Sequence, residues 1–222
     1  MSFDAWSLSM WILPALLAIT LHEAAHGFAA RALGDPTAAL MGRLSLNPLR
    51  HIDPVGTIIL PGLLILSKAG FLFGYAKPVP VDFGRLRNPR RDMVLVAAAG
   101  PAMNLLMALA AALLYHALDL MPDPAQDWIA GNLGNALRFN VLLAVFNMLP
   151  IPPLDGGRVA VGLLPASLAL PLARLERFGM IIVLLLFVAL PLSGLGIDPV
   201  TWLLLVPAQI VIDLIVIVTG HA

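Results

Sequence analysis

Long apolar runs, separated by short polar or proline-containing turns, dominate the chain. A helix needs about 20 predominantly apolar residues to cross a hydrocarbon core about 30 Å thick. On this criterion the pattern predicts about five transmembrane helices, at residues 7–33, 93–118, 133–149, 180–192 and 200–218. The fourth run is short, and we expect its helix to begin near residue 175.

The stretch 37–91 differs, because prolines and glycines divide its apolar residues into pieces such as 55–60 and 63–66 that are too short to span. Irregular backbone at membrane depth is tolerated only where protein or a water-filled cavity satisfies its polar groups. We therefore expect a membrane-associated re-entrant or hairpin region at 37–91, followed by the remaining spans in 93–222. Together they predict a single membrane-embedded domain over residues 1–222.

Composition agrees with this pattern. The chain is 60% hydrophobic and 12% charged, whereas soluble domains average about 45–50% apolar and about 25% charged residues. The predicted fold class is therefore an all-α polytopic membrane protein. A net charge of zero gives no electrostatic reason to expect nucleic acid as a partner. The absence of cysteine excludes disulfides and thiolate metal ligands.

The basic residues are unevenly distributed between the predicted spans. They concentrate between the first and second spans and between the third and fourth, whereas 119–127 and 193–199 contain no lysine or arginine. The positive-inside rule then places the N-terminus outside, with the first and third spans running inward. We expect a multi-pass protein of the cell (cytoplasmic) membrane.

Two histidines and a carboxylate lie within the first apolar run: His22, His26 and Glu23. On a helix the two histidines fall on one face, about 6 Å apart along the axis. This spacing lets two imidazoles bind one Zn²⁺, with the glutamate beside the open coordination position as a base for water. A buried polar cluster that merely ties helices together is the alternative, but ionisable groups within a membrane are costly and usually functional.

A zinc site with an open position needs a third protein ligand, and depth in the membrane favours Asp155. At 1.5 Å per residue, His22 lies about 21 Å below the start of the first span. The third span has descended about 24 Å at Leu149, where prolines break it. Asp155 follows in a loop, on the side toward the cytoplasm. Asp53 and Asp92 are weaker candidates.

Three motifs resemble the site-2 protease family of intramembrane zinc metalloproteases: His22-Glu-Ala-Ala-His26, Gly100-Pro-Ala-Met-Asn104, and Asn147-Met-Leu-Pro-Ile-Pro-Pro-Leu-Asp155-Gly-Gly. Residues 47–54 and 76–80 also look like the membrane hairpin of compact bacterial members. The resemblance implies a three-helix catalytic core, zinc bound by His22, His26 and Asp155, and water activation by Glu23. Many members carry a PDZ or CBS domain, and this sequence looks like a compact member without either.

The expected activity is hydrolysis of a peptide bond in or near the transmembrane segment of a single-span membrane protein. Asn147 is the predicted donor to the oxyanion. Asn104 is a candidate for binding an unwound substrate strand, with helix–helix hydrogen bonding as an equal alternative. The hairpin could offer the substrate an edge strand at 55–60.

Two other functions remain as alternatives. One is a non-proteolytic pseudoenzyme that binds membrane helices. The other is a metal-ion transporter in which Asp213, otherwise unassigned, would join the histidines and Asp155 along an ion pathway.

Overall fold

The computed structural model describes residues 5–59, 62–63 and 77–221, and no strand occurs among them. The α-helices are α1 (Ala5–Ala32), α2 (Thr37–Leu40), α3 (Pro89–Tyr115), α4 (Asp123–Asn147), α5 (Asp155–Leu163), α6 (Ala166–Arg174), α7 (Gly179–Leu184), α8 (Leu190–Leu192) and α9 (Val206–Val218). Short 3₁₀ turns lie at Pro48–Arg50, Phe83–Arg85, Leu118–Leu120 and Leu175–Phe178, and π-helical turns at Pro54–Ile59, Leu185–Ala189 and Thr201–Leu205.

Within the described ranges, five continuous helical stretches are long and apolar enough to cross a membrane: Trp6–Ala32, Pro89–Tyr115, Ala125–Asn147, Ala166–Leu192 and Thr201–Val218. The predicted all-α fold with about five such helices is therefore confirmed. The third begins earlier than predicted, and the polar residue Asn132 lies within it, buried and donating Nδ2–H to Trp128 O on the same helix.

Helices α1, α3 and α4 pack against one another and form the centre of the molecule. Small buried residues such as Ala18, Ala24 and Ala108 line their contacts, which is how membrane helices approach closely. The indole N–H of Trp128 donates to Ser9 Oγ at 2.9 Å, so α1 and α4 begin at the same end of the bundle. Helix α3 runs antiparallel to both, as the sequence predicts.

Two histidines show the direction of the last helix. His116, after α3, donates Nε2–H to Thr219 O at 2.6 Å, and His221 donates Nε2–H to Ala112 O at 2.8 Å. The two imidazoles stack with centroids 3.9 Å apart. Helix α9 therefore ends beside the end of α3 and runs parallel to it, whereas five alternating spans would make the two antiparallel.

The chain between α4 and α9 therefore makes no net crossing of the bundle. Gly179 lies against the Pro152 backbone, and the Phe187 ring contacts Phe146 at 5.6 Å between centroids, so this part of Ala166–Leu192 lies close to the C-terminal end of α4. The 193–199 turn, which contains no lysine or arginine, precedes a helix that starts at that same end. Apolar length and a lack of basic residues do not distinguish a full span from an apolar segment that turns back.

The region 37–91 is only partly described, since residues 60–61 and 64–76 lie outside the described residues. Three residues of the predicted apolar piece 63–66, namely 64–66, therefore lie outside the described residues. So does residue 76, the first of the predicted hairpin piece 76–80. The expectation of an edge strand at 55–60 is wrong for its described part, because Pro54–Ile59 is helical. Asp53 Oδ1 accepts hydrogen bonds from the Val55 and Gly56 N–H groups, as at a helix N-terminus.

Candidate metal centre

The imidazoles of His22 and His26 face each other from successive turns of α1. His22 Nδ1 donates to Asn104 Oδ1 at 2.6 Å, and His26 Nδ1 donates to the carbonyl oxygen of Val96 at 2.7 Å. Because both partners are acceptors, each ring carries its proton on Nδ1. In the neutral rings, which are the form that binds a metal, the two Nε2 atoms, 3.0 Å apart, then present lone pairs to each other.

Asp155 completes the cluster from the first turn of α5. Its Oδ2 lies 3.2 Å from His22 Nε2 and 3.3 Å from His26 Nε2. This oxygen is buried and accepts no hydrogen bond from any described residue. Three lone pairs thus converge without a proton between them, an arrangement that is repulsive unless a cation joins them.

The geometry of these donors fits zinc. With bonds of about 2.0–2.1 Å, two ligands of a tetrahedral Zn²⁺ lie about 3.3 Å apart. The three observed separations are 3.0, 3.2 and 3.3 Å. Among the described residues the cluster holds three donors, which leaves the fourth tetrahedral position for water or substrate.

Two glycines let the chain fold back so that Asp155 reaches α1. A Cβ on Gly156 would lie 2.5 Å from Leu149 O, and one on Gly157 would lie 2.7 Å from the Ile151 carbonyl carbon. These neighbours are backbone atoms and cannot turn aside. The Asp-Gly-Gly motif therefore encodes a return of the chain that only glycine allows.

Gly100 provides the space that the two imidazoles occupy beside α3. A Cβ at this position would lie 2.6 Å from His26 Cε1 and 2.7 Å from His22 Cε1. The missing side chain therefore lets α3 pack directly against the rings of the metal cluster.

Asn104 is completely buried and orients His22. Its Oδ1 accepts the His22 proton, and its Nδ2 donates to Ala18 O at 3.2 Å and to Asn140 Oδ1 at 2.8 Å. Both ends of its amide bind α1 and α4, which are the contacts that the helix–helix alternative expects, and the role of Asn104 toward substrate stays a prediction. Asn140 is held in turn by Ala136 O.

Replacing Asn104 with leucine is expected to weaken zinc binding about 10–100-fold, because His22 loses the acceptor that fixes its ring and tautomer. Competition with a chromophoric chelator measures the zinc Kd. Asn135→Leu is the matched control, since it removes an interhelical hydrogen bond to Met10 O that lies away from the imidazoles. Equal Kd values for Asn104→Leu and the wild type would contradict this role.

Glu23 is half-buried, and its Oε2 accepts a hydrogen bond of 2.8 Å from the Val79 N–H. Val79 is buried against Gly27, where a Cβ would lie 2.9 Å from Val79 Cγ1. Sequence reasoning missed this contact. The available signal was the pair Pro78 and Pro80, which favours extended backbone and leaves Val79 the only N–H of the three residues.

Further hydrogen bonds hold the extended segment 77–82 in place. Lys77 N–H donates to His51 O at 2.9 Å, Arg43 donates to Lys77 O at 3.1 Å, and Asp82 N–H donates to Asp35 Oδ2 at 2.7 Å. Burial alone would raise the pKa of Asp35, but hydrogen bonds from Thr37 and Asp82 hold that pKa below its usual range. The segment is therefore fixed beside the C-terminal end of α1 by residues that follow that helix in the chain.

Asn147 is the last residue of α4 and is half-buried, with Nδ2 donating to Leu143 O at 3.0 Å. Its role toward an oxyanion stays a prediction. The other acidic candidates are engaged locally. Asp92 Oδ2 accepts from Asn88 N–H at 2.8 Å, and Asp213 Oδ1 accepts from Gln209 Nε2 at 2.7 Å.

Three curated proteins are similar to this chain over most of its length. "Putative zinc metalloprotease YwhC" of Bacillus subtilis (strain 168) is 37% identical over 184 residues, which cover 80% of this chain and 79% of that protein. "Putative zinc metalloprotease Rip2" of Mycobacterium tuberculosis (strain ATCC 25618 / H37Rv) is 34% identical, covering 85% of this chain and 70% of that protein. Rip2 of Mycolicibacterium smegmatis is 31% identical, with 84% and 70% covered. No protein-family model and no solved structure matches the chain.

Proposed function

Because this chain belongs to the site-2 protease family, together with its zinc metalloprotease relatives, we propose that it hydrolyses a peptide bond in or near the transmembrane segment of a membrane protein. The observation that carries the proposal is the convergence of His22, His26 and Asp155 within a core of apolar helices, next to Glu23. A single-span protein in the same bilayer is the proposed substrate.

The proposed ligands of the zinc ion are His22 Nε2, His26 Nε2 and Asp155 Oδ2. When bound there, zinc supplies Lewis-acid chemistry that polarises a carbonyl group and makes water more acidic. Asn104 and the Val96 carbonyl keep both imidazoles in the tautomer that presents Nε2. Because Gly100 has no side chain, α3 can pack against the two imidazoles without displacing them.

Glu23 is the proposed general base and acid. Its carboxylate takes one proton from the attacking water as the water oxygen bonds to the scissile carbonyl carbon. It then returns that proton to the nitrogen of the leaving amine as the C–N bond breaks. The Val79 N–H fixes Oε2, and no described residue donates to the other carboxylate oxygen. Asn147 is the proposed hydrogen-bond donor to the carbonyl oxygen as negative charge develops there.

The proposed location is the cell membrane, with the starts of α1 and α4 outside and the metal cluster in the inner half. The charge distribution supports this orientation, because Arg85, Arg87, Arg90 and Arg91 precede or begin α3 at the inner end. The transporter alternative needs Asp213 to join the donors, whereas its carboxylate binds Gln209 on its own helix.

Metal analysis combined with a cleavage assay tests the proposal. The purified wild type is expected to contain about one zinc per chain, and His22→Ala and Asp155→Ala to lose it. Wild type in lipid nanodiscs with single-span test proteins should release fragments, stop with a chelator and resume on addition of zinc. Zinc without fragments from any substrate would favour the pseudoenzyme, and zinc flux into liposomes would favour the transporter.

A further inference from the structure

Helix α5 carries Asp155 at its first turn and is attached to α3 at its other end. The guanidinium of Arg90, in the first turn of α3, donates Nε–H to Gly162 O at 3.0 Å and Nη2–H to Leu164 O. These carbonyls belong to the last residues of α5 and to the residue that follows it. The last carbonyls of a helix lack intrahelical partners, and a cation placed there also complements the helix dipole.

The same end of α5 packs directly on the α3 backbone. A Cβ on Gly162 would lie 3.1 Å from Arg90 O and would overlap the Val94 side chain. The attachment therefore has two parts: a close glycine contact and a forked pair of hydrogen bonds. Both use residues within the first two turns of α3.

Helix α3 also determines where the histidines stand, although it contributes no donor to the cluster. Gly100 contacts both imidazoles, and the Val96 carbonyl and Asn104 bind their Nδ1 protons. Arg90 lies about 15 Å below Gly100 on α3, and Gly162 lies about 10 Å from Asp155 on α5. The two helices lie side by side, so one rigid element sets the positions of all three donors.

The Gly156 and Gly157 contacts hold the first turn of α5 but do not by themselves set the tilt of the helix about that point. A movement at the Gly162 end would swing the Asp155 carboxylate away from the two Nε2 atoms. From this geometry we propose that Arg90 is a positioning residue for the metal centre, holding α5 at the tilt that brings Asp155 Oδ2 onto the imidazoles. The inference rests on the proposed zinc site but not on the proposed cleavage reaction.

The test compares zinc Kd values of full-length variants by chelator competition, beside their thermal midpoints. Arg90→Ala is expected to bind zinc about 10-fold more weakly, at the lower end of the range for residues that orient ligands. Arg90→Lys should be intermediate, since one ammonium can donate to both carbonyls without the planar fork. Arg91→Ala, an exposed neighbour without a side-chain partner among the described residues, is the matched control and should bind like the wild type. The visible spectrum of the Co²⁺-loaded protein should change only in the Arg90 variants.

A wild-type Kd and Co²⁺ spectrum in Arg90→Ala would overturn the inference, as would an equal loss in Arg91→Ala. If Arg90→Ala does not accumulate, Gly162→Ala decides, because its new methyl pushes the same end of α5 off α3 while Arg90 remains. Gly162→Ala should also bind zinc more weakly than the wild type. An unchanged zinc affinity in this variant would overturn the inference too. Unchanged zinc affinity in these variants would defeat only this inference. A wild type that binds no zinc would defeat the proposed function as well. The two failures are therefore distinguishable.

Discussion

Glu23→Gln is expected to lower kcat/KM for peptide hydrolysis by about 10²–10⁴-fold while zinc stays bound. Glutamine has nearly the same shape, and its amide oxygen can still accept the Val79 N–H. It cannot take a proton from water, so the step that creates the nucleophile loses its base. Zinc content by mass spectrometry and fragment release in nanodiscs are measured on the same preparation.

Glu176→Gln is the control for this experiment. Glu176 is an exposed glutamate that lies 3.5 Å from Arg158, and its substitution should leave turnover unchanged. Turnover by Glu23→Gln within about threefold of the wild type would remove Glu23 from the chemistry. Loss of zinc in that variant would instead make the carboxylate part of the metal site.

Gly100→Ala is expected to be nearly as damaging, although it adds a single methyl group. The new carbon would lie 2.6–2.7 Å from carbons of both imidazoles, well inside van der Waals contact. Either the rings or α3 must move by a large fraction of an ångström. Misplacement of about 1 Å costs on the order of 10²-fold in rate. We expect that loss in kcat/KM together with weaker zinc binding.

Gly134→Ala provides the comparison, because it makes the same change within α4. A Cβ there would meet only Arg138 Nη1, at 4.0 Å. Alanine at an unstrained helical position is expected to stabilise the protein by about 0.4–1 kcal/mol, mainly by restricting the unfolded chain. Zinc affinity in Gly100→Ala equal to that in Gly134→Ala would show that the imidazoles tolerate the methyl group.

Much of the metal cluster could be predicted because helix geometry is regular. A spacing of four residues on a helix fixes the relative positions of His22 and His26. Asp155 was accessible too, since the rise per residue gave its depth and prolines marked where the third span ends. The pairing of the two histidines and the depth of Asp155 both follow from the regular geometry of single helices.

Contacts between distant segments were not accessible in this way. The direction of α9 depends on two histidines that bind carbonyls across the bundle, and nothing in the apolar run 200–218 encodes it. The sequence left two roles open for Asn104, and only the packing of the helices shows that its amide binds both α1 and α4. The Val79 contact requires knowing that the extended segment 77–82 crosses α1 at Gly27.

The parallel course of α3 and α9 has a consequence for how this protein sits in a cell. Because α1 begins and α9 ends at the same end of the bundle, peptide epitopes fused before the first and after the last helix would emerge into one compartment. The metal cluster lies nearer the opposite end of the bundle. Antibody binding to intact cells would therefore detect both epitopes together or neither.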